Sequence, residues 1–232
     1  MAEKRSTVTV GEVSYLRLPI KTHVIHEGDN LPEIVAKYAG DQIHPEDTVF
    51  VSESVAAISQ GRAIPEEQIH VGWLARILWR FVRKVPYGVG LRSPETMQAA
   101  IDEVGRCRIL SAAVAGALGK LVGRRGDFYR IAGMQAALID GAHTSPIEPY
   151  DGCVIKGPLE PDHLAREIAG RNGCRAAIVD VNDIGGSWVI GASPGVDCRL
   201  VEAILRDNPL GQGAEQTPLG IIRELEVTEG RQ

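Results

Sequence analysis

The chain has 232 residues, of which 44% are hydrophobic and 24% are charged, as in an ordinary folded soluble protein. Its net charge of −5 argues against a dedicated binder of nucleic acid or of an anionic membrane surface. The N-terminus lacks the apolar run of a signal peptide, and no stretch approaches the roughly 20 apolar residues of a membrane helix. The four cysteines form no CxxC pair, so we expect reduced thiols in a cytoplasmic protein and no zinc site.

The first part of the chain predicts a polar start, a strand and a helix. Residues 1–14 are polar and are predicted to form a separate N-terminal segment. The following stretch at 13–25 predicts a strand region that Pro19 breaks. Asn30 has the residue type of a helix N-cap, and Gly40 is the predicted end of that helix.

The middle of the chain predicts a buried strand followed by helices. Residues 48–52 are β-branched and aromatic, which indicates a buried strand. At 71–83 apolar residues recur at helical spacing with arginines between them, which predicts an amphipathic helix in the core or at an interface. Ser93 has the residue type that caps a further helix, and an alanine-rich helix is predicted at 109–121.

The last third of the chain mixes the two kinds of element. A short helix is predicted at 162–170, a strand at 176–181 and a returning strand at 188–190. Helices and strands alternate irregularly, so a regular doubly wound sheet is not expected. The sequence therefore predicts the α+β class, with irregular mixed sheets and flanking helices.

Carboxylate and amide side chains end the predicted strand at 176–181. Asp180 and Asn182 are two residues apart, so a strand places them on one face, and Asp183 follows at the turn. Burial of such groups costs free energy unless they are paired or bind a cation, and oxygen donors suit Mg²⁺ or Mn²⁺. The pattern predicts metal ligation by Asp180 and Asp183, with a turn capped by its own side chains as the alternative.

A second acidic loop follows the apolar residues 138–139. Asp140 is predicted to be a catalytic residue and a further metal ligand, because it opens a loop rich in hydroxyl groups. His143 and Ser145 in that loop are predicted catalytic residues that orient the substrate. The alternative is a strand exit with the aspartate in an ordinary turn.

A basic, glycine-rich segment at 116–126 predicts contacts to phosphate groups. Glycines let backbone amides approach a phosphate closely, and Lys120, Arg124 and Arg125 supply positive charge. The segment is not a Walker A loop, since Leu121 replaces the serine or threonine that would hold Mg²⁺. A basic helix C-terminus that complements the helix dipole is the alternative.

A strand end followed by serine and arginine offers a further anion site. Ser52 ends the predicted strand at 48–52, and Arg62 follows a short apolar stretch. Both residues are predicted to contact a bound nucleotide, with an exposed turn as the alternative. No nucleophilic triad motif accompanies these segments.

Several segments share the motifs of one enzyme family. Residues 21–31 include Lys-Thr-His and Glu-Gly-Asp-Asn-Leu, and residues 49–62 include Val-Phe-Val-Ser-Glu and Ala-Ile-Ser-Gln-Gly-Arg. Residues 178–191 include Ile-Val-Asp-Val and Val-Ile-Gly, and residues 139–140 are Ile-Asp. These motifs span most of residues 15–195, and the chain resembles the glutamyl ligases of the deazaflavin coenzyme F-420.

The resemblance implies a fold, partners and a reaction. It implies a glutamyl-ligase-like domain at 15–225 that forms an interwoven homodimer, with intertwined subdomains at about 15–105 with 196–225 and at 106–195. GTP or ATP is the implied co-substrate, and Mg²⁺ or Mn²⁺ the implied metal. The nucleotide would activate a small-molecule carboxylate as an acyl phosphate, and an amine or amino acid would displace the phosphate. Neither a nucleic acid nor a membrane is an expected partner.

Other functions fit the same residues. A carboxylate-held cation beside basic groups would also serve a metal-dependent phosphohydrolase of a nucleotide or phosphoester. A non-catalytic dimeric protein that binds nucleotide or metal is a further alternative, because Ser54 stands where the family commonly has lysine. The ligase is the leading hypothesis, since three acidic or amide donors remain at one hairpin.

Overall fold

The computed structural model describes residues 6–82, 90–124, 126–183, 186–211 and 213–225. The chain forms two compact units: unit 1 comprises residues 1–60 and 159–232, and unit 2 comprises residues 61–158. The predicted intertwined subdomains divide the chain at other positions, and that division stays a prediction.

The described residues contain eight strands and nine α-helices. The strands are β1 (Thr7–Val10), β2 (Val13–Ile20), β3 (Thr48–Ser52), β4 (Ala63–Pro65), β5 (Cys153–Ile155), β6 (Arg175–Asn182), β7 (Gly186–Ala192) and β8 (Leu219–Leu225). The helices are α1 (Leu31–Ala39), α2 (Glu53–Ser59), α3 (Trp73–Leu78), α4 (Pro94–Val104), α5 (Arg106–Leu121), α6 (Asp127–Ala132), α7 (Met134–Ala137), α8 (Pro161–Asn172) and α9 (Cys198–Ile204). Short 3-10 turns occupy Gly40–Gln42, Glu66–Gln68 and Trp79–Phe81.

Unit 1 is built on a six-stranded mixed sheet with the strand order β1-β2-β8-β3-β6-β7. Strands β3 and β6 are parallel, and the other neighbouring pairs are antiparallel. In unit 2, β4 and β5 form a two-stranded antiparallel sheet, and α3 to α7 supply the helices. The mixed sheets and flanking helices confirm the predicted α+β class, whereas the interwoven homodimer stays a prediction.

Helices pack against both faces of the unit 1 sheet. Side chains alternate along each strand, so one strand contributes to both faces. On β6, Ala176 and Ile178 belong to an apolar cluster with residues of α1 and α8. Ala177 and Val179 belong to a second cluster, with residues of α9 such as Val201. A strand buried on both faces reads as a continuous apolar run, and this run ends at Asp180.

Local signals predicted the helix starts correctly. The Asn30 side chain accepts a hydrogen bond from the backbone N–H of Glu33, and α1 ends before Gly40. Ser93 and Thr96 form a reciprocal capping box at the start of α4. These caps satisfy backbone donors that have no partner within the helix.

The first part of the chain contains a strand that was not predicted, and the predicted break at Pro19 was wrong. The predicted polar segment at 1–14 contains β1, which pairs with the start of β2. Pro19 does not break β2 but lies opposite Gly220 of β8 within the ladder. Since β1 pairs only with 13–16, the missing N–H of Pro19 costs nothing on the side that faces away from β8.

The helix predicted at 71–83 is shorter than expected. Helix α3 ends at Leu78, and a 3-10 turn continues to Phe81. Leu74 is buried, but Trp73 and Phe81 are 69% and 72% exposed. The core interpretation is therefore wrong for these two aromatic residues, while the interface interpretation stays a prediction; Arg83 lies outside the described residues.

A buried ion pair ties the connection before β3 to β8. The carboxylate of Asp47, 1% exposed, accepts hydrogen bonds from Arg223 Nε at 2.8 Å and Nη2 at 2.7 Å. It also accepts the backbone N–H of His44 at 2.7 Å. Burial alone would raise the pKa of Asp47, but the hydrogen bonds from Arg223 and His44 outweigh it and hold this pKa below its ordinary value.

We expect Asp47→Asn to lower the free energy of unfolding by about 2 kcal/mol, because Arg223 loses its charged partner. A carboxylate whose folded pKa is lowered stabilises the fold above its unfolded pKa of about 3.9, and this contribution disappears as the pH falls through the folded pKa. The difference between variant and wild type should therefore be full at neutral pH and shrink below about pH 4. Urea unfolding at several pH values measures it, with exposed Asp41→Asn as the control; a difference that persists at low pH would contradict the assignment.

Candidate functional site

The carboxyl ends of the parallel strands β3 and β6 meet at one edge of the unit 1 sheet. Ser52, the last residue of β3, lies opposite Val179 of β6, and Asp180 follows directly. In sheets that contain parallel strands, ligands commonly bind beyond the carboxyl ends of those strands. This edge carries three of the predicted site residues, Ser52, Asp180 and Asp183, on neighbouring strands or at their ends.

Asp180 is the residue at this edge whose charge is least compensated. Its side chain is largely buried, and burial raises the pKa of its carboxyl group above the ordinary value. Among the described residues, no hydrogen bond or ion pair holds this carboxylate. Trp188 lies opposite it on β7 and is half exposed. A buried carboxylate in this state destabilises the fold unless a cation or a proton joins it.

Asn182 and Asp183 have different surroundings from Asp180. Asn182 lies two residues further along β6, opposite Gly186, and its Oδ1 accepts the Gly186 N–H at 3.2 Å. Asp183 Oδ1 accepts a hydrogen bond from Asn208 Nδ2 at 3.0 Å. The strand geometry confirms that Asp180 and Asn182 share a face, and the Asn182 contact also fits the alternative of a self-capped turn.

The chemistry of this edge fits Mg²⁺ or Mn²⁺. Within the described ranges, no group of three or more His, Cys, Asp or Glu side chains is placed to hold a metal ion. Mg²⁺ usually keeps several waters and is held by one or two carboxylates together with substrate phosphates. Asp180 and Asp183 are two carboxylates at this edge, and the uncompensated charge of Asp180 is the observation that favours a cation.

The loop predicted to be catalytic lies in unit 2. Asp140 forms an isolated bridge with Ile155, with N–H to O=C distances of 2.8 and 3.1 Å. The exposed His143 has a left-handed backbone, and its N–H donates to the carbonyl of Asp151 at 2.7 Å. Ser145 Oγ accepts the N–H of Ile147 at 3.4 Å, which helps to hold the loop. The catalytic roles of Asp140, His143 and Ser145 stay predictions.

Two glycines of the basic segment, Gly116 and Gly119, lie inside helix α5 and serve packing, whereas Gly123 and Gly126 follow its end. A Cβ on Gly116 would lie 3.2 Å from Phe128 Cβ, and one on Gly119 would collide with the Asp127 carboxylate. These glycines let α5 and α6 approach closely, which agrees with the alternative interpretation of this segment as a helix C-terminus. Their place inside a helix does not resemble a loop wrapped around a phosphate.

The basic side chains of this segment differ in their partners. Lys120 is exposed. Arg124 Nη2 lies 3.3 Å from Asp127 Oδ1, and Arg130 pairs with the same carboxylate. Arg125 lies outside the described residues. Binding of phosphate by Lys120, Arg124 and Arg125 stays a prediction.

Arg62 belongs to a buried charge cluster in unit 2. Its Nη2 donates to Glu103 Oε1 at 2.6 Å, and Lys156 Nζ lies 3.2 Å from Glu103 Oε2. Burial alone would raise the pKa of Glu103, but the hydrogen bonds from Arg62 and Lys156 outweigh it and lower this pKa. The guanidinium therefore has a structural partner already, and its predicted contact with a nucleotide stays a prediction.

An open groove of about 620 Å³ lies in unit 1 at the start of α1. Asp29, Glu33, Glu167 and Arg171 are among the charged residues that line it, so acidic groups outnumber the basic one. Its lining contains none of the predicted site residues. An acidic lining does not suit a phosphate group, so this groove does not compete with the strand edge as the candidate site.

The sequence analysis did not identify Asn208 and Glu103, which hydrogen-bond the predicted site residues Asp183 and Arg62. Asn208 lies in a polar loop after α9, and no local pattern indicates its partner Asp183. Glu103 ends an ordinary amphipathic helix, 41 residues from Arg62. The left-handed backbone of Asn208 is a conformation that asparagine adopts more readily than most residues.

The comparison with protein families identifies one enzyme family. A family model described as F420-0:Gamma-glutamyl ligase matches residues 19–179. This range includes β3 and most of β6 and ends one residue before Asp180. No curated protein matches the sequence. In the described part of the chain, none of the helices combines the length and the apolarity needed to cross a membrane.

Proposed function

Because this chain belongs to the F420-0:gamma-glutamyl ligase family, we propose that it is a metal-dependent, nucleotide-using amide ligase. Its substrates are a nucleoside triphosphate, GTP or ATP, a small-molecule carboxylate and an amine, for which the family favours glutamate. The family membership supports the ligase class, and the residues at the edge of the unit 1 sheet support the use of a metal.

The proposed metal dependence rests on the surroundings of Asp180. This residue is largely buried, its pKa is raised by burial, and no described residue compensates its charge. It also lies near the carboxyl end of β6, which runs parallel to β3, and ligands commonly bind beyond such strand ends. Asp180 and Asp183 would hold Mg²⁺ or Mn²⁺, which would supply positive charge to stabilise a transferring phosphoryl group. The contribution of Asp140, in unit 2, stays a prediction.

The proposed reaction has two steps. A carboxylate oxygen of the acyl substrate attacks the γ-phosphorus of the nucleotide, the bond to the β-phosphate oxygen breaks, and an acyl phosphate forms. The amine nitrogen then attacks the acyl carbon, phosphate leaves, and the nitrogen loses a proton as the amide forms. We propose that the Ser52 hydroxyl orients phosphate groups at this edge. The acidic groups of the same edge would hold the cation.

Dependence of nucleotide turnover on the amine tests this function. We expect nucleoside diphosphate and amide to form in equal amounts only when metal, carboxylate and amine are all present. Product analysis by mass spectrometry with candidate carboxylates and glutamate measures both. Release of phosphate at an unchanged rate without any amine would contradict the ligase and indicate a phosphohydrolase.

We also propose that the protein forms a homodimer, and the exposed face of α5 supports this. Leu110, Val114, Leu118 and Leu121 are 43–83% exposed and recur at helical spacing along one side of this helix. Exposed apolar stripes of this kind mark surfaces that another molecule covers. In line with the family resemblance, a second copy is the proposed occupant.

Leu118→Glu is expected to weaken self-association at least tenfold, because a charge would be buried against the apolar face of the second copy. Sedimentation velocity across a range of protein concentrations measures the effect. Leu159→Glu, at another exposed leucine, is the matched control and should leave the association unchanged. A wild-type protein that sediments as a monomer at all concentrations would contradict the proposed dimer.

A further inference from the structure

The chain bends sharply after helix α9, and the bend places Asn208 beside the acidic end of β6. Asn208 is fully buried and has a left-handed backbone with φ +50°, a conformation that asparagine adopts more readily than most residues. Its N–H donates to the carbonyl of Leu205 at 2.9 Å, which closes the bend. Its side-chain amide donates to Asp183 Oδ1 at 3.0 Å.

A buried arginine of β2 anchors this bend. Arg17 is 1% exposed, and its Nη1 donates to the carbonyl of Ile204, the last residue of α9, at 3.0 Å. Its Nη2 donates to Asp207 Oδ2 at 3.1 Å. The guanidinium therefore holds the residue next to Asn208, and the bend can move only if the ion pair of this buried arginine with the half-exposed Asp207 breaks.

We infer that Asn208 is a positioning residue for Asp183, and through it for the proposed cation at the end of β6; the inference rests on the proposed function. An amide donor carries no formal charge, so it orients the Asp183 carboxylate without neutralising it. Partners of this kind, which hydrogen-bond a metal-binding carboxylate, commonly change metal affinity 10–100-fold when they are replaced.

Two variants separate positioning from a merely structural role. In Asn208→Asp a carboxylate faces the carboxylate of Asp183, so we expect both the stability and the Mn²⁺ affinity to fall, the affinity about tenfold or more. In the exchanged pair Asn208→Asp with Asp183→Asn, an amide again faces a carboxylate and the hydrogen bond re-forms with its direction reversed. Stability should return toward the wild-type value, while Mn²⁺ affinity stays about tenfold or more below it, because residue 183 has lost its charge.

Asn172→Ala is the matched control for a lost asparagine amide. Asn172 Nδ2 donates to the carbonyls of Ile168 at 2.8 Å and Pro32 at 3.2 Å. Its removal should lower stability and leave the Mn²⁺ affinity of the folded protein unchanged.

The experiment measures free Mn²⁺ by electron paramagnetic resonance during titration of each folded protein, alongside urea unfolding. Weakened binding in Asn208→Asp and in the exchanged pair, with an unchanged Asn172→Ala, is the expected result. Binding of Mn²⁺ by Asn208→Asp as tightly as by the wild type would overturn the inference and leave the proposed function standing. Equally tight binding by the exchanged pair would overturn the inference together with the proposed role of Asp183 as a ligand. No Mn²⁺ binding by the wild type would overturn the metal dependence itself, and the inference with it.

Discussion

Asp180→Asn is expected to abolish metal-dependent nucleotide turnover and, at neutral pH without metal, to make the protein more stable than the wild type. The two effects have one cause, which is the uncompensated charge of a largely buried carboxylate. Asparagine keeps the shape and removes the charge, so the metal-free fold should gain about 1 kcal/mol in its free energy of unfolding. The cation would lose its main ligand at the same time.

Thermal unfolding with and without Mn²⁺ measures both effects in one experiment. The wild type should be stabilised by added Mn²⁺, because an ion that binds only the folded state raises its stability. Asp180→Asn should start higher and show no Mn²⁺ effect. Glu224→Gln, at an exposed carboxylate in β8, serves as the control and should respond to Mn²⁺ as the wild type does. A variant that is less stable without metal, or that keeps the Mn²⁺ response, would show that Asp180 is paired in solution.

Glu103→Gln is expected to destabilise the protein by about 2–3 kcal/mol, because two cationic groups, those of Arg62 and Lys156, lose their common anionic partner. Both cationic side chains are largely buried, with exposures of 12% and 15%. Solvent therefore screens the lost interaction less than it would at the surface. Urea unfolding at neutral pH measures the loss.

The exposed acid Glu67 lies in the same unit and provides the control. Glu67→Gln should change the free energy of unfolding by less than about 0.5 kcal/mol. If Glu103→Gln unfolds at the same urea concentration as the wild type, the cluster does not stabilise unit 2. Arg62 would then be available for the predicted contact with a nucleotide.

The features that depend on nearby residues were predictable from the sequence. The Asn30 and Ser93 caps act on donors within three residues, and the buried strand at 48–52 is recognised by its own residues. The end of the apolar run of β6 at Asp180 was predictable for the same reason, because it is visible in the residues of the strand itself. The sequence therefore identified the edge of the sheet at which the candidate site lies.

The features that depend on distant residues were not predictable from one sequence. Arg17 and Asp207 are 190 positions apart, and Asp47 and Arg223 are 176 apart. Any of the chain's other acidic residues could have been their partner, and no local pattern distinguishes among them. The order of strands in the sheet was not predictable for the same reason. Strand β8 comes from the far end of the chain and lies between β2 and β3.

The glycines of α5 show a different limit. Gly116 and Gly119 suited a phosphate loop because glycine lets a backbone come close to another group. In the structure these glycines do allow a close approach, but the approaching group is helix α6, at Phe128 and Asp127, and not a phosphate. Composition alone cannot tell these two uses of glycine apart.

Calorimetric titration of GTP and of ATP into the purified protein, with and without Mn²⁺ or Mg²⁺, tests the central claim most directly. The proposed function predicts that one of the two nucleotides binds with metal present, and that binding is lost without metal and in Asp180→Asn. Equal binding with and without metal, or no binding by the folded wild-type protein, would contradict a metal-dependent, nucleotide-using ligase.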